Sequence, residues 1–277
     1  MSQPPLRVAA VQLSSQDDVA KNLDACAALV SRAAARGVDL VLLPENFAFF
    51  GPEAARGALA EDLDGASGPI GRSLSSLARE HRLTIVGGGM PERSGDPRRP
   101  FNTAVVYGPG GELVTRYRKI HLFDVELPDG SALTESSGTS PGGEPVVFEL
   151  LGRSIGLSIC YDLRFPELYR SLVDLGATVL LVPAAFTRDT GKDHWHALLR
   201  ARAIEAQSWV VAAGQWGRHP GGRTTYGHSL VVDPWGTVVA DASDREGVVY
   251  AELDDDLLDR IRATFPSLRH RRLGRPR

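Results

Sequence analysis

Cysteine is nearly missing from this chain: two residues, Cys26 and Cys160, in 277. Two thiols in unlike sequence contexts make no disulfide framework, so a reducing compartment and a cytoplasmic protein are expected. Long apolar runs are missing as well. The longest are strand-sized, which excludes a membrane-spanning helix. The opening residues Met1-Ser2-Gln3-Pro4-Pro5-Leu6-Arg7 lack a basic stretch followed by an apolar one, so no secretory signal is expected. No charge sign is in excess: the formal net charge is -3, which argues against nucleic acid as a partner. Only the C-terminus is basic, in Arg269-His270-Arg271-Arg272 and Arg275-Pro276-Arg277. There a solvated tail is a better reading than a phosphate-binding patch. No linker rich in Pro, Gly or Ser divides the chain cleanly, and its length suffices for one domain with a sizeable core. Residues 6–256 are read as that domain and 257–277 as a partly packed extension with a basic tail.

What is present is a pattern stated twice. Gly37-Val38-Asp39-Leu40-Val41-Leu42-Leu43-Pro44-Glu45-Asn46-Phe47 is echoed by Gly176-Ala177-Thr178-Val179-Leu180-Leu181-Val182-Pro183-Ala184-Ala185-Phe186. Thr84–Gly89 is echoed by Trp209–Gly214, and the strand–turn–strand run Ala104–Val114 by Leu230–Val239. The last pair reads as two hairpins around Pro-containing turns. Helical periodicity covers Asp18–Arg36, Ile70–His81, Pro166–Leu175 and His194–Gln207. Each half thus runs strand, helix, strand, helix, strand, hairpin. Strands alternating with helices imply sheets covered by helices. Two such halves imply an α/β fold, a four-layer α-β-β-α sandwich of two mixed sheets with internal pseudo-duplication. Thr134–Glu144 reads as an ordered surface loop between the halves.

Functional groups in such folds gather outside the carboxyl ends of strands. Glu45 follows the strand Leu40–Leu43, Lys119 follows Glu112–Tyr117, and Cys160 follows Ser154–Ile159. A thiol where a strand gives way to a helix N-terminus meets backbone N–H donors and a positive dipole end, which favour thiolate. Cys26 lies in an apolar helical stretch and reads as a small core residue. A carboxylate flanked by Leu43, Pro44 and Phe47 can hold a raised pKa and shuttle protons. A buried ammonium can stabilise an oxyanion together with a backbone N–H after the nucleophile. Singly, Glu45 could cap a helix and Lys119 could be one more surface cation. As a set they make an acyl-transfer machine.

The runs Leu42-Leu43-Pro44-Glu45-Asn46, Tyr117-Arg118-Lys119-Ile120-His121-Leu122-Phe123 and Ile159-Cys160-Tyr161-Asp162-Leu163-Arg164-Phe165-Pro166-Glu167-Leu168 resemble the nitrilase superfamily of carbon–nitrogen hydrolases, in that family's order and over about residues 6–272. The resemblance implies Glu45 as general base, Lys119 as oxyanion stabiliser and Cys160 as nucleophile. It implies Glu135 as a second glutamate that positions Lys119 and substrate, and the Tyr161 backbone N–H as an oxyanion donor. It also implies amide hydrolysis through a thioester, without metal or organic cofactor, and assembly as a homodimer or larger homo-oligomer.

His194-Trp195-His196-Ala197-Leu198-Leu199-Arg200-Ala201-Arg202-Ala203-Ile204-Glu205, Tyr226–Val238 and Gln215-Trp216-Gly217-Arg218-His219 resemble the deaminated-glutathione amidase branch more than its sister, the ω-amidases acting on 2-oxoglutaramate. The small-molecule amide implied carries carboxylates. Arg164 is the candidate to meet one, unless it pairs with Asp162 or Glu167. Phe186, Thr187, Thr190 and His194 are candidates to line the cleft. His194 and His196 flank Trp195, but a histidine pair without a third ligand is usually structural. Arg200, Arg202 and Glu205 have spacing suited to salt bridges in helix packing or a subunit interface. Gly152-Arg153-Ser154-Ile155-Gly156 matches a serine nucleophile elbow, but an apolar strand follows Ser154 where that motif needs a helix. A third reading, an idle interaction protein with the same fold, is opposed by the intact Glu45, Lys119 and Cys160 set.

Overall fold

Runs of leucine and β-branched residues alternate with helix-period segments, and in the computed structural model they pair into two sheets. The structure describes residues 4–65, 68–126 and 132–273. Met1-Ser2-Gln3 and the Arg275-Pro276-Arg277 end of the basic tail lie outside them. The first half contains β1 (Leu6–Gln12), α1 (Val19–Ala34), β2 (Leu40–Leu43), α2 (Pro69–His81), β3 (Thr84–Glu92), β4 (Phe101–Tyr107) and β5 (Leu113–Arg118). A small hairpin comes next, β6 (Asp124–Glu126) with β7 (Ala132–Thr134). The second half contains β8 (Val147–Leu150), β9 (Arg153–Leu157), α3 (Pro166–Asp174), β10 (Val179–Ala184), α4 (Arg188–Ala206) and β11 (Trp209–Gly214). It continues through the hairpin β12 (Trp216–Arg218) and β13 (Thr224–Tyr226) to β14 (Leu230–Val232), β15 (Val238–Asp241), β16 (Gly247–Leu253), α5 (Asp255–Thr264) and α6 (Ser267–His270).

The sheet orders are β16-β1-β2-β3-β4-β5 and β15-β14-β11-β10-β9-β8. Strands β1-β2-β3 are parallel, as are β9-β10-β11; the hairpin strands beside each set are antiparallel. The repeat read from the sequence is therefore physical, with β2 matching β10, β3 matching β11, and β4-β5 matching β14-β15. The pattern did not place the flanking strands. β8 pairs with β9 next to it in sequence, whereas the equivalent place beside β1 is filled from the far end of the chain by β16.

Residue alternation explains the layers. Val8 and Ala10 of β1, and Leu40 and Leu42 of β2, join the cluster shared with the second sheet. Their neighbours Ala9, Val11, Val41 and Leu43 join the cluster under α1 and α2, with Cys26, Val30, Ile70 and Leu74. On the opposite side, Trp195, Leu199 and Ala203 of α4 and Leu168 and Leu172 of α3 cover the second sheet. Each large apolar side chain among them, fully buried, contributes about 1.5–3 kcal/mol. The order of layers is α-β-β-α. Among the described residues no helix is long and apolar enough to cross a membrane.

Some boundaries differ from expectation. The helix expected from His194 begins six residues earlier, at Arg188. Gly191 disguises that start, yet it is required there: a Cβ would collide with the Tyr226 ring. The loop expected over Thr134–Glu144 begins as the end of β7 and a 3-10 turn, Glu135–Ser137. Helix α5 buries Leu258 and Ile261, and its Arg262 Nε donates to the Gln207 carbonyl at 2.9 Å.

Candidate active site

Three strand ends and one hairpin end meet at a common hollow. Glu45 lies two residues beyond β2, Lys119 directly beyond β5, Cys160 three beyond β9, and Glu135 directly beyond β7. All four line one cavity of about 700 Å³, part of it open to solvent. Lys119 is its organising charge and is 2 % exposed. Its Nζ donates to Glu45 Oε1 at 2.9 Å and to Glu135 Oε2 at 2.8 Å. Burial alone would lower the lysine pKa. The Glu135 and Glu45 carboxylates outweigh it and hold the ammonium well above its ordinary value. Burial likewise pushes Glu135 up, but Lys119 and the Phe123 N–H bring it below the usual carboxylate range. The Phe123 N–H donates to Glu135 Oε2 at 2.7 Å.

Glu45 does not sit in an apolar pocket, as its neighbours in sequence imply. Leu43 and Phe47 are buried away in the core, while the carboxylate itself is wrapped by donors. Besides Lys119, Asn102 Nδ2 donates to Oε1 at 2.9 Å and the Ala185 N–H donates to Oε2 at 3.0 Å. Asn102 Nδ2 also reaches Glu135 Oε1 at 3.2 Å, so one amide ties the two glutamates together. Gly89, at φ +96°, makes room for that amide; a Cβ there would lie 2.6 Å from Asn102 Oδ1.

Cys160 opens a 3-10 turn, Cys160–Arg164, not the α-helix itself; α3 starts only at Pro166. The surroundings of the sulfur also differ from those expected of a thiolate. Burial, then the Glu45 charge, push the Cys160 thiol well above its ordinary pKa, against the opposing pull of Lys119 and the Ala185 N–H. A five-residue 3-10 turn offers too little aligned dipole to reverse this. These influences together favour a protonated sulfur beside a carboxylate. Its backbone has φ +49°, a left-handed conformation that costs a non-glycine residue about 1–3 kcal/mol.

Asp162 supplies the restraint. Fully buried, it accepts from the Ile159 N–H at 2.9 Å, the Tyr117 hydroxyl at 2.7 Å and the His121 N–H at 3.0 Å. One carboxylate thus pins the turn carrying Cys160 to the segment carrying Lys119. Arg202 of α4 grips the same turn, donating Nε and Nη2 to the Leu163 carbonyl at 3.0 and 2.8 Å while Nη1 meets Glu205 at 2.8 Å. From behind, Gln215 Nε2 donates to the Glu45 carbonyl at 3.0 Å.

The other expected residues divide. Tyr161, Arg164, Phe186, Thr187 and Thr190 line the cavity. Arg164 does not pair with Asp162, whose oxygens are taken. Its guanidinium lies over Phe186, 5.0 Å from the ring centre. His194 stands off the wall, its Nδ1 3.3 Å from Arg164 Nη1. The sequence reading missed Asn102, Arg56 and Arg223, which also line the hollow. Arg56 is 6 % exposed; its Nη1 donates to Asn46 Oδ1 at 2.6 Å and its Nε lies 3.7 Å from Glu53 Oε2 in an ion pair, while among the described residues Nε and Nη2 have no hydrogen-bond partner. No strand-end rule finds it, because it rides a 3-10 segment, Glu53–Leu59, between β2 and α2.

The cavity therefore gathers a cysteine, the Glu45 and Glu135 carboxylates and a fixed ammonium, with three guanidinium groups and the Glu53 carboxylate on its walls. The carbon-nitrogen hydrolase family model matches residues 7–263. The chain is 43% identical over 270 residues to the deaminated glutathione amidase of Synechocystis sp., covering 96% of this chain and 98% of that one. It is 44% identical over 271 residues to the deaminated glutathione amidase of Homo sapiens, covering 96% and 82%. The crystal structure of the C. elegans NitFhit protein superposes with a TM-score of 0.90 at 40% identity, over 98% of this chain and 66% of that longer one.

Proposed function

The chain belongs to the carbon-nitrogen hydrolase family, and from that premise we propose a cysteine-dependent amidase whose substrate is deaminated glutathione. The observation that carries the reading is Lys119 Nζ, held between Glu45 and Glu135 in the cavity that Cys160 also lines. Glu45 takes the proton of the Cys160 thiol as sulfur attacks the amide carbon. The tetrahedral oxyanion is held by Lys119 Nζ and the Tyr161 backbone N–H. Glu45 returns the proton to the departing nitrogen, and the C–N bond breaks to leave a thioester on Cys160. Glu45 then deprotonates a water, which cleaves the thioester and regenerates the thiol. Glu135 keeps Lys119 charged and in place. With the thiol pushed up by burial and by the Glu45 charge, the base and nucleophile act as one unit.

Deaminated glutathione has a carboxylate at each end, one on the 2-oxoglutaryl group and one on the departing cysteinylglycine. Two observations favour such a substrate. Arg164 presents a cation beside Phe186, and Arg56 presents buried N–H groups with unused hydrogen-bonding capacity. The job would be metabolite repair in the cytoplasm, returning 2-oxoglutarate and cysteinylglycine. A homo-oligomer is part of the same reading; exposed Trp235 and Phe265, with ring centroids 6.1 Å apart, offer apolar surface for it. Residues 6–256 would carry the catalysis and 257–277 serve as an extension. Specificity constants for deaminated glutathione and 2-oxoglutaramate test the substrate. The first should be larger; a strong preference for 2-oxoglutaramate would make the protein an ω-amidase.

A further inference from the structure

The two histidines flanking Trp195 part company in the fold. Residues two apart on a helix point to different sides, and His194 goes to Arg164 while His196 goes to the opposite flank of α4. There His196 meets His228 and Asp241, contributed by the segments before β14 and at the end of β15. Among the described residues these three bring a carboxylate oxygen and two imidazole nitrogens within 4.8 Å of one another. His196 Nε2 is 2.9 Å from Asp241 Oδ2, and His228 Nδ1 is 3.0 Å from Asp241 Oδ1. We propose that His196, His228 and Asp241 form a divalent transition-metal site of the zinc class, separate from the amide-hydrolysing cavity.

Four observations support it. Two imidazoles and one carboxylate are a donor set suited to zinc or cobalt, and they leave a fourth position for water. The nitrogen-to-oxygen separations of 2.9 and 3.0 Å need to open by only a few tenths of an ångström to reach the about 3.3–3.6 Å between neighbouring ligands about 2.0–2.2 Å from a tetrahedral ion. The surrounding groups orient the ligands as bound metals require. His228 has its other nitrogen, Nε2, 3.4 Å from Asp244, its ring stacked on Tyr226 at 4.4 Å, and its carbonyl held by the Trp195 indole at 2.8 Å. Asp241 Oδ1 also accepts the Ser243 N–H at 2.7 Å. Finally, the ligands keep access to solvent, with side chains 20–34 % exposed. Binding would release any proton carried by the imidazoles and replace their contacts with Asp241 by bonds to the metal. The site needs no part of the amidase assignment.

The test uses the full-length protein, freed of metal with chelator and titrated with Co²⁺ and Zn²⁺. One equivalent of Co²⁺ should bind with the visible absorption of a tetrahedral site, and Zn²⁺ should displace it. His228→Ala and His196→Gln should each weaken binding more than about 100-fold, and Asp244→Asn about 10-fold, the range for loss of an orienting carboxylate. Thermal melting and amide hydrolysis report folding independently; both should persist in His196→Gln, which lies outside the catalytic cavity. Binding by the wild type no tighter than by His228→Ala, or a cobalt spectrum of octahedral type, would overturn the site.

Discussion

Strands β2 and β10 occupy equivalent places in the two sheets and end alike, at Leu43-Pro44 and Val182-Pro183-Ala184. Their continuations differ. After β2 comes Glu45, whose carboxylate meets Lys119; after β10 comes Ala185, whose N–H holds that carboxylate. The first half contributes the ionisable partners and the second the sulfur and a backbone donor. The two matching strands thus end at one hollow, and the chemistry lies in the few residues beyond each strand. The same contrast separates the two cysteines. Burial alone pushes Cys26 up to about 12. Cys160 is raised as well, by burial and by Glu45, yet that second cause is also its base. Reactivity here comes from the neighbour, not from an acidic thiol.

The sharpest way to break this contrast is to remove each sulfur. Cys160→Ala should lower kcat/KM for amide hydrolysis by about 10⁵-fold or more, while Cys26→Ala retains full activity. Substantial turnover in the first variant defeats the assignment. Next in size, Lys119→Met should cost kcat about 10²–10³-fold, the range for an oxyanion donor; an effect confined to KM would make Lys119 a binding group only. Arg56→Met should raise KM for deaminated glutathione about 10-fold or more with kcat kept, as loss of a charged hydrogen bond predicts. An unchanged KM removes Arg56 from carboxylate recognition.

The smallest effect concerns stability. Cys26 keeps its proton in the folded state after the unfolded chain has lost it, so the folded state binds more protons above about pH 8.5. Stability should therefore fall as pH rises from there toward about 12. Cys26→Ala should flatten that decline, read from urea midpoints at pH 8 and 10. Identical slopes for both proteins would place the buried thiol's effect elsewhere.

Much of this was legible before any coordinates. Strand–Pro endings and helix periods gave the layers, because burial on two faces leaves a strong local signature. Glu45, Lys119 and Cys160 were found through their position after strands and a family resemblance. Asp162 and Asn102 were not, since a buried polar bridge between remote segments has no local pattern. Nor was the origin of β16 or the direction taken by His194, which depend on the path of the whole chain. Local dipole reasoning about the thiol omitted the burial and the carboxylate that the fold supplies.

The most direct check of that last point is the absorbance of thiolate near 240 nm, taken as wild type minus Cys160→Ala from pH 6 to 9. A flat difference is expected, with Cys160 protonated throughout and activated only during attack. A thiolate titrating below pH 8 would make the sulfur an anion at rest and leave Glu45 no proton to take from it.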